Sequence, residues 1–215
     1  PRIALWPNYG ALTLSPNIAR MAVLQDILEH TVRGIQWGEA MGSWTALPEK
    51  DLFEVEYWEL EQAKLKKGAA RKPFEGQIAL VSGAASGIGL SIVRAFLEQG
   101  AAVVGIDINP EVTLAVKSAS YLGLVCDITN TEAIKQCLQT AVYTFGGIDI
   151  LISNAGNFPK SAEIESLDDA LFEKTLSLNL TGHLKTIRET IPYLKEGWNP
   201  TVIIVGSKNV PAPGP

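Results

Sequence analysis

From residue 74 onward, short apolar runs alternate with helical patterns, and this alternation constrains the fold more than any other feature of the chain. The apolar runs cover residues 78–81, 102–106, 122–126, 148–152 and 202–205, and the helical patterns lie near 88–99, 130–145 and 168–195. Continuous apolar strands separated by helices are typical of a parallel sheet buried on both faces. The pattern therefore predicts a doubly wound, Rossmann-like α/β domain over 74–215.

The first 67 residues follow a different pattern. A short apolar stretch at Ile3–Trp6 precedes a turn-like segment, and apolar residues then recur at helical spacing over 18–28. Ser15 can cap this helix with Pro16 at its first position, and a second helical pattern covers 52–66. The segment 68–73 is charged, rich in small residues and ends in Pro, which is typical of a linker. We therefore expect a mostly helical unit over 1–67 before the α/β domain.

Composition and charge exclude several classes of partner. Hydrophobic residues make up 47% and charged residues 19%, as in soluble globular proteins. The net charge of -5 and the scattered basic residues argue against nucleic acid, and no apolar run approaches the ~20 residues of a membrane span. Cys126 and Cys137 have neither CxxC nor His spacing, so they predict no zinc site and no disulfide framework. A reducing cytoplasm fits this pattern best.

The two ends of the chain have the composition of interrupted domains. The sequence begins at Pro1 without Met, and it ends in the loop-like segment 211–215 soon after an apolar run. We therefore expect a piece of a longer protein, with the α/β sheet incomplete at its C-terminal end.

A glycine-rich segment, 82–89, directly follows the first apolar run and opens the first helix. The glycines let the backbone pass close to a pyrophosphate, whose charge is attracted by the free N–H groups and the dipole of the helix N-terminus. Such a segment alone is often only a tight turn, but its place between strand and helix predicts a dinucleotide site. The predicted cofactor contacts here are Gly83, Ser86, Gly87, Ile88 and Gly89.

Asp107 ends the second apolar run about 20 residues after the glycine turn, where a carboxylate can bind both ribose hydroxyls of an adenosine. It would also repel a 2′-phosphate by about 4 kcal/mol, for two unit charges ~4 Å apart at an effective dielectric of ~20. No Lys or Arg lies in 82–89, or at Ile108 or Asn109, to neutralise that phosphate. The sequence thus predicts NAD rather than NADP. The alternative is that Asp107 only caps the next turn.

Further motifs follow in order: Asp127, Asn154-Ala155-Gly156, Asn179 and Ser207. With the Gly-x-x-x-Gly-x-Gly spacing, they resemble the short-chain dehydrogenase/reductase family over about 74–215. The resemblance implies that Asp127 and Ile128 contact the adenine, and that Asn154, Ala155 and Gly156 run beside the cofactor. A turn Asp and a plain strand-ending turn are the respective alternatives.

The resemblance also implies two catalytic residues. Asn179 would bend the long helix and help to hold a water in a proton relay, unless it only faces solvent. Ser207, after the fifth run, would orient the substrate carbonyl or hydroxyl, unless it is only a turn residue. The family usually associates through the helix that contains Asn179, so a homo-oligomer is expected of the complete protein.

The family moves its proton with a Tyr whose pKa is lowered by a Lys four residues later. That pair would lie about a dozen residues beyond Ser207. Four residues after the five tyrosines of this chain come Thr13, Glu61, Val125, Gly147 and Gly197. Two hypotheses remain: an NAD-dependent oxidoreductase whose acid/base pair lies elsewhere in a longer protein, and a non-catalytic NAD-binding module.

The segment 47–65 is similar to the connector of bifunctional proteins that join a class II aldolase to a short-chain dehydrogenase. The resemblance implies an aldolase remnant over 1–67 and a small-molecule substrate, such as the lactaldehyde released during rhamnose breakdown. Such an aldolase holds its divalent metal with several histidines, whereas this chain has only His30 and His183, neither with a partner at ligand spacing. We therefore expect two structural histidines, no metal site and no aldolase activity in this chain.

Overall fold

The computed structural model describes residues 2–58, 71–160 and 162–207. These residues belong to two compact units, Pro1–Lys72 and Pro73–Pro215. Of the predicted linker 68–73, only residues 71–73 lie within the described ranges, and the predicted helix 52–66 is described only as far as residue 58. None of the described helices is long and apolar enough to cross a membrane.

The first unit contains a β-hairpin as well as helices. Its elements are β1 (Ile3–Trp6), β2 (Gly10–Thr13), α1 (Ile18–Met41) and α2 (Glu49–Glu56). The two strands pair antiparallel, from Ile3 opposite Thr13 to Trp6 opposite Gly10. The hairpin follows from its turn, where Asn8 has a φ of 66° and Gly10, the first residue of β2, has a φ of 121°. The described part of this unit is mostly helical, as expected, and the apolar stretch at Ile3–Trp6 forms the first strand of the hairpin.

The N-terminal cap of α1 differs from the prediction. Asn17, and not Ser15, is the cap: its backbone is extended, and its side-chain oxygen accepts the N–H of Arg20 at 2.9 Å. This shift places Pro16 outside the helix, because the residue that caps must lie directly before the first helical residue. The helix also continues to Met41, well beyond the predicted 18–28, and none of its residues is buried.

The second unit is a five-stranded parallel sheet with helices. Its elements are β3 (Ile78–Ser82), α3 (Gly87–Glu98), β4 (Ala102–Asp107), β5 (Tyr121–Val125), α4 (Thr131–Phe145), β6 (Ile150–Ser153), α5 (Asp169–Leu176), α6 (His183–Leu194) and β7 (Thr201–Ile204). The strand order is β5-β4-β3-β6-β7. The doubly wound fold is confirmed, and the chain reverses its winding direction between β3 and β6.

Each strand of this sheet sends alternate side chains to opposite faces. On one face, Leu80 and Leu151 belong to a core cluster with residues of α4 and α6. On the other face, Ala79 and Val81 join a cluster that includes Val93 of α3. Both faces of β3, β4 and β6 are covered, and these strands are largely apolar, which is the pattern that predicted them. The strand β7 is apolar in sequence although its four residues are exposed.

The predicted helix 168–195 is broken into two α-helices by a π-helical turn. Asp168 caps α5 by accepting the N–H of Ala170, and the turn Ser177–Gly182 then separates α5 from α6. A Cβ on Gly182 would lie 2.9 Å from Cδ1 of Ile128, so this turn packs closely on the loop after β5. The break places Asn179 inside the π-helical turn rather than in a continuous helix.

Candidate functional site

A cleft of about 590 Å³ lies at the carboxyl ends of β3, β4, β5 and β6. This is the edge of the sheet where the strand order reverses, and open α/β sheets bind ligands there. Its volume lies within the ~300–1,000 Å³ typical of small-molecule sites. The predicted contacts that line it are Gly83, Ser86, Gly87, Ile88, Asp107, Asp127, Ile128, Asn154, Ala155 and Gly156.

The glycine turn lies against the loop that follows β6. Gly83 has a φ of 70°, and a Cβ there would lie 2.9 Å from Cα of Ala155. Gly89 is buried and does not line the cleft; a Cβ on it would overlap the carbonyl oxygen of Gly83. Gly87 has open space around it and a φ of 54°, so its requirement is conformational. The close contacts within the protein therefore require glycine at positions 83 and 89 even when no ligand is bound.

The N-terminus of α3 opens onto the cleft through Ser86, Gly87 and Ile88. The side chain of Ser86, at the cap position, makes no capping hydrogen bond. The first N–H groups of α3 therefore have no acceptor in the side chain of their cap residue, and they lie at the positive end of the helix dipole. This end of α3 can attract an anion.

Asp107 lies at the end of β4 with both carboxylate oxygens engaged. Its Oδ2 accepts the N–H of Ala85 in the glycine turn at 3.0 Å, and its Oδ1 accepts the N–H of Asn109 at 2.9 Å. The bond to Asn109 is the turn interaction that was the alternative interpretation, and the residue lines the cleft as well. Burial and the negative charge of Asp107 raise the pKa of Tyr121 to about 12. The cleft therefore has a fixed anion at this end.

The loop after β5 is anchored to the π-helical turn and to α6. Asp127 accepts the N–H and the hydroxyl of Thr129 on one carboxylate oxygen, both at 2.8 Å. The carbonyl of Thr129 in turn accepts a hydrogen bond from Nζ of Lys185 at 2.6 Å. Ile128 is buried, so its backbone is held at the cleft by its own side chain.

The carboxyl ends of β3 and β6 are joined by Ser82, which the sequence did not identify as a site residue. Its fully buried hydroxyl accepts the N–H groups of Asn154 and Ala155 at 2.9 and 3.0 Å. The side-chain amide of Asn154 donates to the carbonyl of Ser82 at 3.0 Å. In the sequence, Ser82 is recognisable only as a polar residue at the end of an apolar run, and this does not show that Asn154 and Ala155 are its hydrogen-bond partners.

Asn179 and Ser207 are not among the described residues that line the cleft. The side chain of Asn179 makes two hydrogen bonds to the backbone of Asn157: it donates to the carbonyl at 2.8 Å and accepts the N–H at 3.0 Å. In this structure it therefore holds the loop after β6. Ser207 follows β7 and is exposed. The catalytic roles of both residues stay predictions.

His183, expected to be a plain structural histidine, contacts the same loop. Its Nδ1 lies 2.6 Å from Oγ of Ser153, and the carbonyl of Ala155 accepts a hydrogen bond from the ring. Burial lowers the pKa of His183 below its ordinary range, and the bond to Ala155 opposes this shift. No sequence spacing indicates these contacts, since they depend on the π-helical turn.

Seven residues that line the cleft were not predicted as contacts: Ile106, Ile108, Cys126, Thr129, Lys174 of α5, and Ser177 and Leu178 of the π-helical turn. Lys174 supplies a cation to the described lining, which also contains the carboxylates of Asp107 and Asp127. The thiols of Cys126 and Cys137 are free and buried, and the neighbouring Cys137 together with burial raises the pKa of Cys126. The thiol of Cys137 donates to the carbonyl of Val125 at 3.8 Å. Within the described ranges, no group of three or more ligand-type side chains could hold a metal ion.

Known proteins resemble both parts of the chain. A family model described as short chain dehydrogenase matches residues 77–215, and one described as aldolase class II, second domain, matches residues 1–65. The uncharacterized oxidoreductase YuxG of Bacillus subtilis is 29% identical, over 97% of this chain and 32% of its own length. The 3beta-hydroxysteroid dehydrogenase 2 of Eggerthella lenta is 37% identical, over 60% of this chain and 52% of its own length. The chain thus spans about a third to a half of these relatives.

A solved structure agrees with these matches. The 3-ketoacyl-(acyl-carrier-protein) reductase from Brucella melitensis, complexed with NADH, superposes with a TM-score of 0.63 at 28% identity. The similarity covers 65% of this chain and 61% of that chain.

Proposed function

The chain belongs to the short-chain dehydrogenase family, and from that premise we propose that its cleft binds NAD(H) for hydride transfer between the nicotinamide and the carbon that bears a substrate hydroxyl or carbonyl oxygen. Members of this family are oxidoreductases that use nicotinamide cofactors. The observation that carries the proposal is the hydrogen bond between Ala85 of the glycine turn and Asp107. It supports the proposal because it holds the carboxylate of Asp107 beside the glycine turn that leads into α3, so a ribose and a pyrophosphate could be bound in one cleft.

The cofactor would lie across the carboxyl ends of the strands. Its pyrophosphate fits the N-terminus of α3 at Ser86, Gly87 and Ile88, where the backbone N–H groups and the helix dipole favour negative charge. Its adenosine ribose fits Asp107, and its adenine fits the loop at Asp127 and Ile128. When bound, the nicotinamide would accept or donate the hydride. The loop of Asn154, Ala155 and Gly156 lines the other side of the cleft, beyond β6.

The charge of the cleft supports NAD over NADP. The carboxylate of Asp107 is held by two backbone N–H groups and cannot turn away from a 2′-phosphate without losing them. The neighbouring Ile108 is exposed and apolar, so it offers no compensating cation.

For the complete protein, we assign the acid/base pair to residues outside this sequence, because no Tyr here has Lys four residues later. Asn179 and Ser207 would support the relay and orient the substrate. The aldolase match at 1–65 makes a small aldehyde such as lactaldehyde the proposed substrate. We also propose that the complete protein is a homo-oligomer. The missing Tyr–Lys pair favours a second candidate, an NAD-binding module without turnover.

Nucleotide titration of the complete protein tests this proposal. We expect NADH to bind at micromolar concentrations and more tightly than NADPH, with reduction of NAD by a small aldehyde or alcohol. Ile88→Asp adds a negative charge at the N-terminus of α3 and should weaken both nucleotides at least tenfold. Tyr143→Asp makes the same charge change at a 95% exposed position of α4 and should leave binding unchanged. Failure of NADH to bind would overturn the proposal, and binding without turnover would favour the module.

A further inference from the structure

We propose that His183 is a positioning residue, which holds the loop after β6 in the shape that the nicotinamide cofactor needs. The inference rests on the proposed function, since it concerns one wall of the same cleft. His183 is the first residue of α6 and does not itself line the cleft among the described residues. It acts through Ser153 and Ala155.

The imidazole of His183 reaches two points of the loop. Nδ1 lies 2.6 Å from Oγ of Ser153, the fully buried last residue of β6. The ring also donates to the carbonyl of Ala155, whose residue lines the cleft. One side chain thus connects the end of the strand to the middle of the loop.

The far end of the loop is held from the same helical stretch. Asn179, four residues before His183, makes both of its hydrogen bonds to the backbone of Asn157. From the opposite side, Ser82 accepts the N–H groups of Asn154 and Ala155. The loop 153–157 is therefore fixed at its start, middle and end. The π-helical turn contains Asn179 and ends directly before His183, so both side chains that hold the loop come from this stretch.

The chemistry of a neutral imidazole matches its two partners. The neutral ring has one donor and one acceptor nitrogen, whereas the charged ring has two donors. In one tautomer Nδ1 accepts the hydroxyl of Ser153, which leaves the ring one N–H donor for a carbonyl such as that of Ala155. Burial lowers the pKa of His183, so the neutral form predominates near neutral pH. A leucine here would leave both partners without this hydrogen bond.

The loop geometry matters for the cofactor because the glycine turn lies directly against it. A Cβ on Gly83 would come within 2.9 Å of both Cα of Ala155 and Nδ2 of Asn154. A shift of this loop by a few tenths of an ångström would therefore change the width of the cleft between the glycine turn and Ala155. Cofactor affinity should depend on His183 more strongly than overall stability does.

The test compares His183→Leu with His183→Asn, which restores a short donor and acceptor. In the complete protein, we expect His183→Leu to raise the Kd for NADH and the KM for NAD about tenfold, with kcat changed less than about threefold. His183→Asn should recover to within about threefold of the wild-type Kd. Adding Ser153→Ala to His183→Leu should cost nothing further, since the shared bond is already lost.

Thr190→Val is the matched stability control. The hydroxyl of this buried residue of α6 donates to the carbonyl of Thr186, away from the cleft. We expect a lower Tm and an unchanged Kd for NADH. If His183→Leu does not fold, Ser153→Ala alone carries the test and should weaken NADH about threefold. Wild-type affinity for NADH in His183→Leu and Ser153→Ala would overturn the inference. A rise in Kd that accompanies the lower Tm of Thr190→Val would overturn it as well. If the wild-type protein binds no NADH, the proposed function itself is refuted.

Discussion

Replacing Asp107 with Asn tests the predicted preference for NAD. Both carboxylate oxygens accept backbone N–H groups, from Ala85 and Asn109, so the charge is fixed at the β4 end of the cleft. Two unit charges ~4 Å apart at an effective dielectric of ~20 repel by about 4 kcal/mol, or roughly a thousandfold in affinity. Because the residue is only half-buried, solvent screening reduces this figure, and we expect at least about a tenfold preference for NADH over NADPH in the wild type.

The Asn variant removes the charge but keeps one acceptor. Its amide nitrogen would face the N–H of either Ala85 or Asn109, so one hydrogen bond is replaced by a contact between two donors. That loss should weaken NADH by up to about tenfold, in the range of about 1 kcal/mol for a hydrogen bond. NADPH should bind more tightly than in the wild type, and the ratio of the two Kd values should shrink by at least about tenfold.

Isothermal titration of both nucleotides at low and high salt provides the measurement. Glu111→Gln is the control, because it removes an equal charge from an exposed side chain of the short helix after β4. The control should keep the wild-type ratio. The electrostatic reasoning is wrong if the wild type binds NADPH as tightly as NADH, or if the Asp107 variant leaves the ratio unchanged at low salt.

Two further predictions concern packing and pH. Gly89→Ala should raise the Kd for NADH at least tenfold, because the added Cβ would overlap the carbonyl of Gly83. The control Gly147→Ala places its Cβ in open space and should bind NADH like the wild type. Calorimetry measures both Kd values, and equal values would contradict the packing argument. Tyr121, whose pKa is raised to about 12, should contribute stability that is full below pH 10 and is lost as the pH rises through 12, because the unfolded phenol ionises first. Chemical denaturation at several alkaline pH values measures this loss, and an unchanged profile in Tyr121→Phe would refute the assignment.

The strands β3, β4 and β6 were predictable because burial on both faces makes them largely apolar. The boundaries were less so: the fourth predicted strand began at Ile148, whereas β6 begins at Ile150. Residue 149 is a buried Asp whose carboxylate accepts the N–H groups of Ile78 and Trp198. These partners are distant in sequence, so no local pattern shows that the charge is satisfied.

The cofactor contacts at the carboxyl ends of the strands were predictable for a related reason. The glycine spacing and the aspartates that follow strands are local signals in the sequence, and the parallel sheet brings them together because the carboxyl ends of its strands lie at one edge. The residues that support the loops were not predictable. Ser82 and His183 act through partners about 70 and 30 residues away, and the π-helical turn that orients His183 has no recognisable spacing in the sequence.

The π-helical turn has a consequence for how the second unit can change. Gly182, Thr186, Thr190 and Leu194 are buried at four-residue intervals, and they fix the rotation of α6 against the sheet. A π-helical turn contains about one residue more than an α-helical turn, so α5 is rotated by roughly 100° from the continuation of that stripe. Side chains of α5 such as Lys174, which lines the cleft, can therefore be substituted without altering the packing of α6. Such substitutions can change ligand preference while the stability of the sheet stays the same.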